Sequence, residues 1–584
     1  MATRTAPPRT PRRRTRGPQL PPPERRIRWL LIAAGLFLAV CLVRAVQMQV
    51  VDGGFYATKA SGQHRAEIVT PAQRGAILDR DGYRLALTEE ASTIGATPSL
   101  VTDPARLVAA VSQASGESPD TIMQRLNATG VSHVDLARQV PEARAKAVEA
   151  LKLQGLDFTP EQRRVYPSAI AAPLIGVTDL QGKGVAGLEL SYDRILRGRA
   201  GLEIRTSDPA GNAISVIRDQ QMQPGRTIST GIDRQVQTEA EAVVADTRLQ
   251  YHAKAVTAIV LQPTTGEILA MASAPLPRNG DFRQGTADQL RLRGITDQYE
   301  PGSTFKAVTM GAGLSTGRIT PSTKVDVGTE WQLYDGTLHD SHPDPGVKTA
   351  TEALRVSSNI GVAKLAYEHL SSPGHIDSVL SQWIDRFGFG MPTGIDLPGE
   401  VTGTVPQYGQ WSGTSPLNIP IGHGVAATPI QIAQLYATIA NDGVQIQPHV
   451  VTRIDGQGPV EAPRKRIMPA RAARTLAQML EGVVSDQGTG SAAAIPGYSV
   501  AGKTGTTKKI NNDGTYSDSR FLSWFVGFAP VTHPKVLTLI MVDEPHGGQY
   551  YGGEVAGPAF AKLTARALTA LGAQMDQPGT AATG

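Results

Sequence analysis

The sequence predicts an α+β chain held behind one N-terminal membrane helix, and three observations predict it. A long apolar run follows an arginine-rich start. Beyond it, alternating apolar and polar strands close on tight turns, interspersed with amphipathic helices. With 584 residues, 40% of them hydrophobic and 19% charged, the chain has length and apolar content for two or more domains.

The formal net charge of +5 hides a split. Residues 1–28 hold nine arginines and one acid, Glu24, for a charge of +8, which leaves −3 on the remainder. A slightly acidic body argues against nucleic-acid binding, which needs a basic face on the folded part. One cysteine, Cys41, excludes an internal disulfide, a cysteine-cluster metal site and a CxxC redox centre.

The segment 1–28 also carries seven prolines and is expected to be a disordered cytoplasmic tail. Trp29 to Val43 is an uncharged apolar run of fifteen residues. As a helix it spans about 22 Å, short of the roughly 30 Å hydrocarbon core. Continuing past Arg44 to Val51 makes up the difference, so residues 29–51 are expected to span the membrane, with Arg44 reaching for the far interface. A cleaved signal is disfavoured: no A-x-A site follows, and Val40 precedes Cys41 where a lipoprotein signal needs a small residue. Arginines on the N-terminal side place the tail in the cytoplasm and residues 52–584 outside.

Residues 52–225 mix short strands with a helical insert. A hairpin is expected around Asp81-Gly82, and helix starts at Pro119-Asp120 and Pro141-Glu142. A second domain is expected over 226–574. It opens with an amphipathic helix over 231–250, with Ile232, Val236, Ala240, Val243 and Thr247 on one face, then a hairpin over 256–273. SWFVGFAP and LTLIMVDEP (523–545) read as core strands, and 575–584 as a disordered end.

Residues 300–318 (EPGSTFKAVTMGAGLSTGR) are the most informative stretch. A turn at Pro301-Gly302 leads into a helix that ends at Gly317, with Ser303 at its start and Lys306 three residues on, hence on the same face. A serine needs a base to become a nucleophile, and a lysine in a water-poor site is neutral enough to be one. Of the 15 lysines, only Lys306 has a serine three residues before it; Ser357-Ser358-Asn359 is the single S-x-N and Lys503-Thr504-Gly505 the single K-T-G.

The rival motifs carry less. Gly497 to Thr504 satisfies the GxxxxGK[ST] phosphate loop, but strand-like residues lie inside it and no helix follows the lysine. His339 and His342 form an HxxH without a further ligand, and are read as a solvated loop; His423 is read as packing. No metal and no cofactor are expected.

The ordered set SxxK, SxN, KTG resembles that of the penicillin-recognising serine acyl-transferases. That resemblance makes Ser303 the nucleophile, Lys306 its base and Ser357 a proton relay, with Asn359 holding the acyl donor's amide. Lys503, Thr504 and Thr506 would bind a substrate carboxylate. Gly505 would let the peptide approach, and the N–H groups of Ser303 and Thr506 would form the oxyanion hole. Further segments, among them RGAILDRDGYRLA (74–86), RRVYPS (163–168), TGIDLPGE (393–400) and YYGGEVAGPAF (550–560), resemble class B penicillin-binding proteins. HVDLARQV (133–140) and KTGTTKKINNDGTYSD (503–518) are similar to the division-specific penicillin-binding protein 3 type.

The family implies a transpeptidase domain with a mainly antiparallel sheet between helix groups, set on an elongated, mainly β pedestal or dimerisation-type domain. It implies D,D-transpeptidation of peptidoglycan stem peptides, acylation by β-lactams, and partnership with a membrane glycosyltransferase and other division proteins. Two departures stand out: SAIAAPLIG (168–176) is one residue short and lacks the family's glycine and histidine, and His423 replaces the tyrosine of the GYG loop. Alternatives are an elongation- or sporulation-specific transpeptidase, a β-lactam sensor, or a silent division scaffold. A class A β-lactamase is disfavoured, because no Glu-x-x-Leu-Asn lies between Asn359 and Lys503.

Overall fold

The computed structural model describes residues 23–51, 65–207, 213–277, 285–371, 378–511 and 513–577. Residues 1–22 and 578–584, most of the two expected disordered ends, lie outside the described residues. The chain divides into two compact units, one of residues 1–71 with 200–222, the other of 72–199 with 223–584.

In the first unit an α-helix runs from Pro23 to Val46 and relaxes into a wider turn over Gln47–Val51. Ile27–Val50 has a mean hydropathy of 2.4, and 24 residues reach about 36 Å at 1.5 Å each, enough to cross a bilayer. The helix begins six residues before the expected Trp29. Proline at a helix start loses no hydrogen bond, and Glu24 in the first turn favours the dipole, so the tail's last residues are helical. The unit also holds an antiparallel three-stranded sheet with Gly201–Ser207 between Arg65–Thr70 and Ala213–Gln220.

The second unit is built on a five-stranded antiparallel sheet: β1 (Ala255–Leu261), β2 (Ile268–Ala274), β3 (Ala501–Ile510), β4 (Tyr516–Ala529) and β5 (Val536–Asp543), in the order β2-β1-β5-β4-β3. Strands β1, β2 and β5 are buried at every position, which is why they read as continuous apolar runs. Strand parity divides their side chains between two cores. Leu537, Leu539 and Met541 enter one; Val536, Ile540 and Val542 enter the other.

The second core is closed by two helices, α1 (Arg234–Gln250) and α6 (Gly557–Ala570). Asp233 caps α1, its carboxylate accepting from Gln235 N at 3.0 Å and Val236 N at 3.2 Å. Val236, Ala240, Val243 and Thr247 are buried, as their spacing predicts. The first core is filled by α2 (Lys306–Thr316), α3 (Asn359–His369), α4 (Pro429–Ala440) and α5 (Ala470–Glu481). Among the described residues strand β3 has β4 as its one sheet partner, so its outer edge is left for the site.

Residues 72–199 supply four strands of a six-stranded sheet that also takes in Ile228–Thr230 and Val451–Ile454, and form a third small core under the helical insert. The hairpin at Asp81-Gly82 joins Ile77–Leu78 to Arg84–Ala96. The insert is less helical than expected: helices Pro119–Leu126 and Glu142–Glu149 flank a strand, Val134–Pro141, which pairs with Arg84–Ala96. Ile228–Thr230 lies parallel to Ile77–Leu78 and antiparallel to Val451–Ile454, so pairing continues across the expected boundary at 225/226. At the C-terminus, Met575 to Gln577 are ordered, contrary to the expected disordered end: Asp576 accepts from Ser499 N at 2.8 Å and Thr532 Oγ1 at 3.0 Å. The Ser499 amide and the hydroxyls of Ser499 and Thr532, all from distant segments, hold it, and a linear reading cannot see them.

Candidate active site

The site forms where the turn before α2, the turn before α3 and edge strand β3 converge. Ser303 lies on a 3₁₀ turn, Gly302–Phe305, that leads into α2. The expected continuous helix is therefore tightened in its first turn. Gly302 has φ of +54°, and a β-carbon there would meet Thr507 Cγ2 at 2.3 Å, so only glycine brings this turn onto β3. Thr304 Oγ1 donates to Pro301 O, and buried Tyr436 donates to Thr304 O, both at 2.8 Å.

Lys306 and Lys503 are fully buried. Lys306 Nζ donates to Ser357 O at 2.5 Å, to Asn359 Oδ1 at 2.8 Å and to Ser357 Oγ at 3.3 Å. Lys503 Nζ donates to the same Ser357 Oγ at 2.8 Å. One hydroxyl thus bridges two amines. Burial brings the Lys306 amine down to about 7, against a pull upward from the Asp340 carboxylate. Burial also holds Lys503 well below its ordinary value, and the neighbouring Lys306 adds to that.

Four expected residues (Lys306, Ser357, Asn359 and Lys503) are thus joined by hydrogen bonds, with half-buried Ser303 on the turn just before Lys306. Three behave differently from expectation. Thr504 Oγ1 shares a hydrogen bond with Thr489 Oγ1 at 2.8 Å, and Thr506 Oγ1 accepts from Gly552 N at 2.9 Å, so both hydroxyls also build the cleft wall. A β-carbon on Gly505 would meet Thr304 Cγ2 at 3.0 Å, Pro301 O at 3.1 Å and Trp524 Cβ at 3.2 Å. Its bareness admits the serine turn rather than an open approach. The phosphate-loop alternative fails, because Lys503 lies within a strand and no helix follows it.

Two carboxylates escaped the sequence reading. Asp340 receives Ser358 Oγ at 2.7 Å, Ile360 N at 2.9 Å and Asn359 N. Glu300 receives Gly424 N at 2.8 Å and Tyr516 OH at 3.1 Å, and pairs with His423 Nδ1 at 3.1 Å. His423 therefore ties its loop to the segment before Ser303 rather than merely packing. The only sequence signal for Glu300 is its place beside the SxxK turn; Asp340 had none, standing inside the HxxH weighed for its histidines.

This geometry matches a known family. The penicillin-binding protein transpeptidase domain matches residues 256–565, and the penicillin-binding protein dimerisation domain matches residues 69–230. The chain belongs to the penicillin-binding protein transpeptidase family. Its relatives include the peptidoglycan D,D-transpeptidase FtsI of Escherichia coli K12, 31% identical over 548 residues, 93% of this chain and 91% of that protein. The probable peptidoglycan D,D-transpeptidase PenA of Neisseria gonorrhoeae is 30% identical over 565 residues, covering 95% and 94%. The crystal structure of penicillin-binding protein 3 from Mycobacterium tuberculosis superposes with a TM-score of 0.67 at 29% identity, over 88% of this chain and 99% of that one. The same protein has been solved in complex with aztreonam and with ampicillin. The two-domain fold, dimerisation domain plus transpeptidase domain, is that of the penicillin-binding proteins.

Proposed function

We propose that this chain is a peptidoglycan D,D-transpeptidase of the division-specific type, cross-linking stem peptides through a serine acyl-enzyme. The observation that carries the reading is the buried Lys306 amine, held near 7 on the residue that ends the Ser303 turn and joined through Ser357 to Lys503. A base near neutrality accepts a proton readily and gives it up again.

Ser303 Oγ attacks the carbonyl of a D-Ala-D-Ala bond while Lys306 Nζ takes its proton. The Ser357 hydroxyl, between the two amines, passes a proton to the departing D-Ala, and Asn359 holds the donor's amide. The N–H groups of Ser303 and Thr506 receive the developing oxyanion. Lys503, with Thr504 and Thr506, binds the terminal carboxylate, whose charge draws a proton back onto a lysine that burial has made reluctant to hold one. Gly505 lets the serine turn lie against β3. An amine of a neighbouring stem then takes the acyl group, completing the cross-link. β-Lactams enter as substrate mimics and acylate Ser303, a reading supported by the aztreonam and ampicillin complexes of the mycobacterial relative.

The helix over Ile27–Val50 anchors the chain as a single-pass protein of the cytoplasmic membrane, with its arginine-rich start inside and the enzyme on the outer, periplasmic face. The expected partners are a membrane glycosyltransferase and other division proteins.

A fluorescent penicillin is expected to label the wild-type protein covalently and to leave Ser303→Ala unlabelled. Equal labelling of both removes Ser303 as nucleophile. Growth sustained by Ser303→Ala alone favours the scaffold alternative. Depletion that yields filaments supports the division role, and rounded cells point to elongation.

A further inference from the structure

We propose that Asp340 is a positioning residue of the reaction: its carboxylate builds the Ser357–Asn359 turn and is the counter-charge against which Lys306 works. The inference deepens the transpeptidase reading and rests on it.

The turn is one that a chain does not adopt unaided. Ser357 has φ of +59°, a left-handed conformation that residues with a β-carbon avoid unless their surroundings hold them there. Asp340 supplies the holding. Its two carboxylate oxygens receive Ser358 Oγ at 2.7 Å, Ile360 N at 2.9 Å and Asn359 N, the donors that follow Ser357 along the chain. Charge-assisted bonds of this kind are stronger than neutral ones.

That held turn is what meets Lys306. It presents the Ser357 carbonyl at 2.5 Å and the Asn359 Oδ1 at 2.8 Å. The residue beside Asp340 settles which way the amide faces, since Asn359 Nδ2 donates to His339 O at 3.0 Å and leaves Oδ1 to the lysine. The backbone of 339–340 and the Asp340 carboxylate thus orient both oxygens that receive the base.

The charge matters separately. Two charged groups bear on Lys306 among the described residues: Lys503, reached through the shared Ser357 hydroxyl, and Asp340. Two buried amines with no anion nearby would both shed protons, and an amine that sheds its proton too easily is a poor acceptor for the serine's. Asp340 opposes this, pulling the Lys306 affinity upward. It touches no substrate; it acts through the turn and through Lys306.

The test follows acylation of the full-length protein in detergent by a fluorescent penicillin, as a function of pH. Labelling of wild type and its loss in Ser303→Ala test the transpeptidase reading itself, whatever Asp340 does. Given that labelling, Asp340→Asn is expected to slow acylation about tenfold or more and to move the acidic limb of the profile to lower pH. Asp340→Glu restores the charge and is expected to return the limb towards its wild-type position. Ser358→Ala removes the hydrogen bond to Asp340 and the capping bond from Gly361 N, but no charge, and is expected to slow acylation with the limb unmoved. An Asp340→Asn limb at the wild-type position overturns the proposal, as does a Glu variant whose limb matches that of Asn. If Asp340→Asn does not fold by thermal denaturation, the Glu and Ser358→Ala variants decide it: a displaced limb in either counts against Asp340.

Discussion

Two clusters of buried charge in the larger unit are satisfied in opposite ways. In residues 72–199, Arg74 and Arg164 both reach the fully buried Glu189, at 2.6 Å and 2.7 Å, and Arg74 also pairs with Asp193 at 2.7 Å. Arg74 also donates to Gly182 O at 3.1 Å, and Arg164 to Gly75 O at 2.8 Å and to Thr88 Oγ1 at 3.1 Å. Cation and anion are removed from water together, and charge stays where chemistry does not need it to move. At the candidate active site, Lys306 and Lys503 are as deeply buried, but the oxygens in contact with them are two backbone carbonyls, an amide and hydroxyls. No ion pair is formed by either lysine among the described residues, and the cost of desolvation falls on the proton instead. Paired burial fixes the charge; burial without direct pairing loosens the proton.

The contrast is broken most severely at Lys306. Lys306→Arg keeps a cation and similar length, but a guanidinium does not deprotonate in proteins. Acylation is expected to fall about 10²–10⁴-fold, the usual worth of a general base, and thermal stability to fall as well, because the guanidinium must stay charged in a buried site with no ion-pair partner. Substantial acylation by this variant would show that another group removes the serine's proton. The wild-type profile carries the same sign: Lys306 is a base only when neutral, so acylation is expected to rise with pH through about 7 and then level.

Glu189→Gln gives the complementary result. It leaves Arg74 and Arg164 buried without their shared anion, a loss of about 3–5 kcal/mol measured by denaturant unfolding. Acylation per folded molecule is expected to stay at the wild-type level. A variant of unchanged stability would mean that the arginines find other partners, and lost acylation at full stability would tie this cluster to the active site.

Much of both regions was legible in the linear chain. Strands β1, β2, β4 and β5 announced themselves as apolar runs, and α1 by its Val236, Ala240, Val243 face, because those patterns repeat within a few residues. The helix over Ile27–Val50 followed from length and hydropathy, although its start did not, since Pro23 punctuates a coil and opens a helix equally well. At the site, the three motifs named the residues whose side chains meet. What they left out is instructive: Asp340 and Glu300 are ordinary acids until Ser358, Asn359, Gly424 and Tyr516 arrive from elsewhere. Gly505 was visible, but the reason for it was not, because the neighbour that excludes a β-carbon is the serine turn some 200 residues earlier.

By itself, then, the sequence determined the period of each element, the long apolar N-terminal helix and the order of the motifs, and singled out Ser303, Lys306 and Lys503 as candidates, all of them readings carried by residue type and spacing. Tertiary structure alone decided that Ser357, 54 residues from Ser303, and Lys503, 200 residues away, share one hydroxyl with Lys306. It alone decided that Lys306 titrates near 7, because desolvation belongs to everything packed around a group and not to its neighbours along the chain.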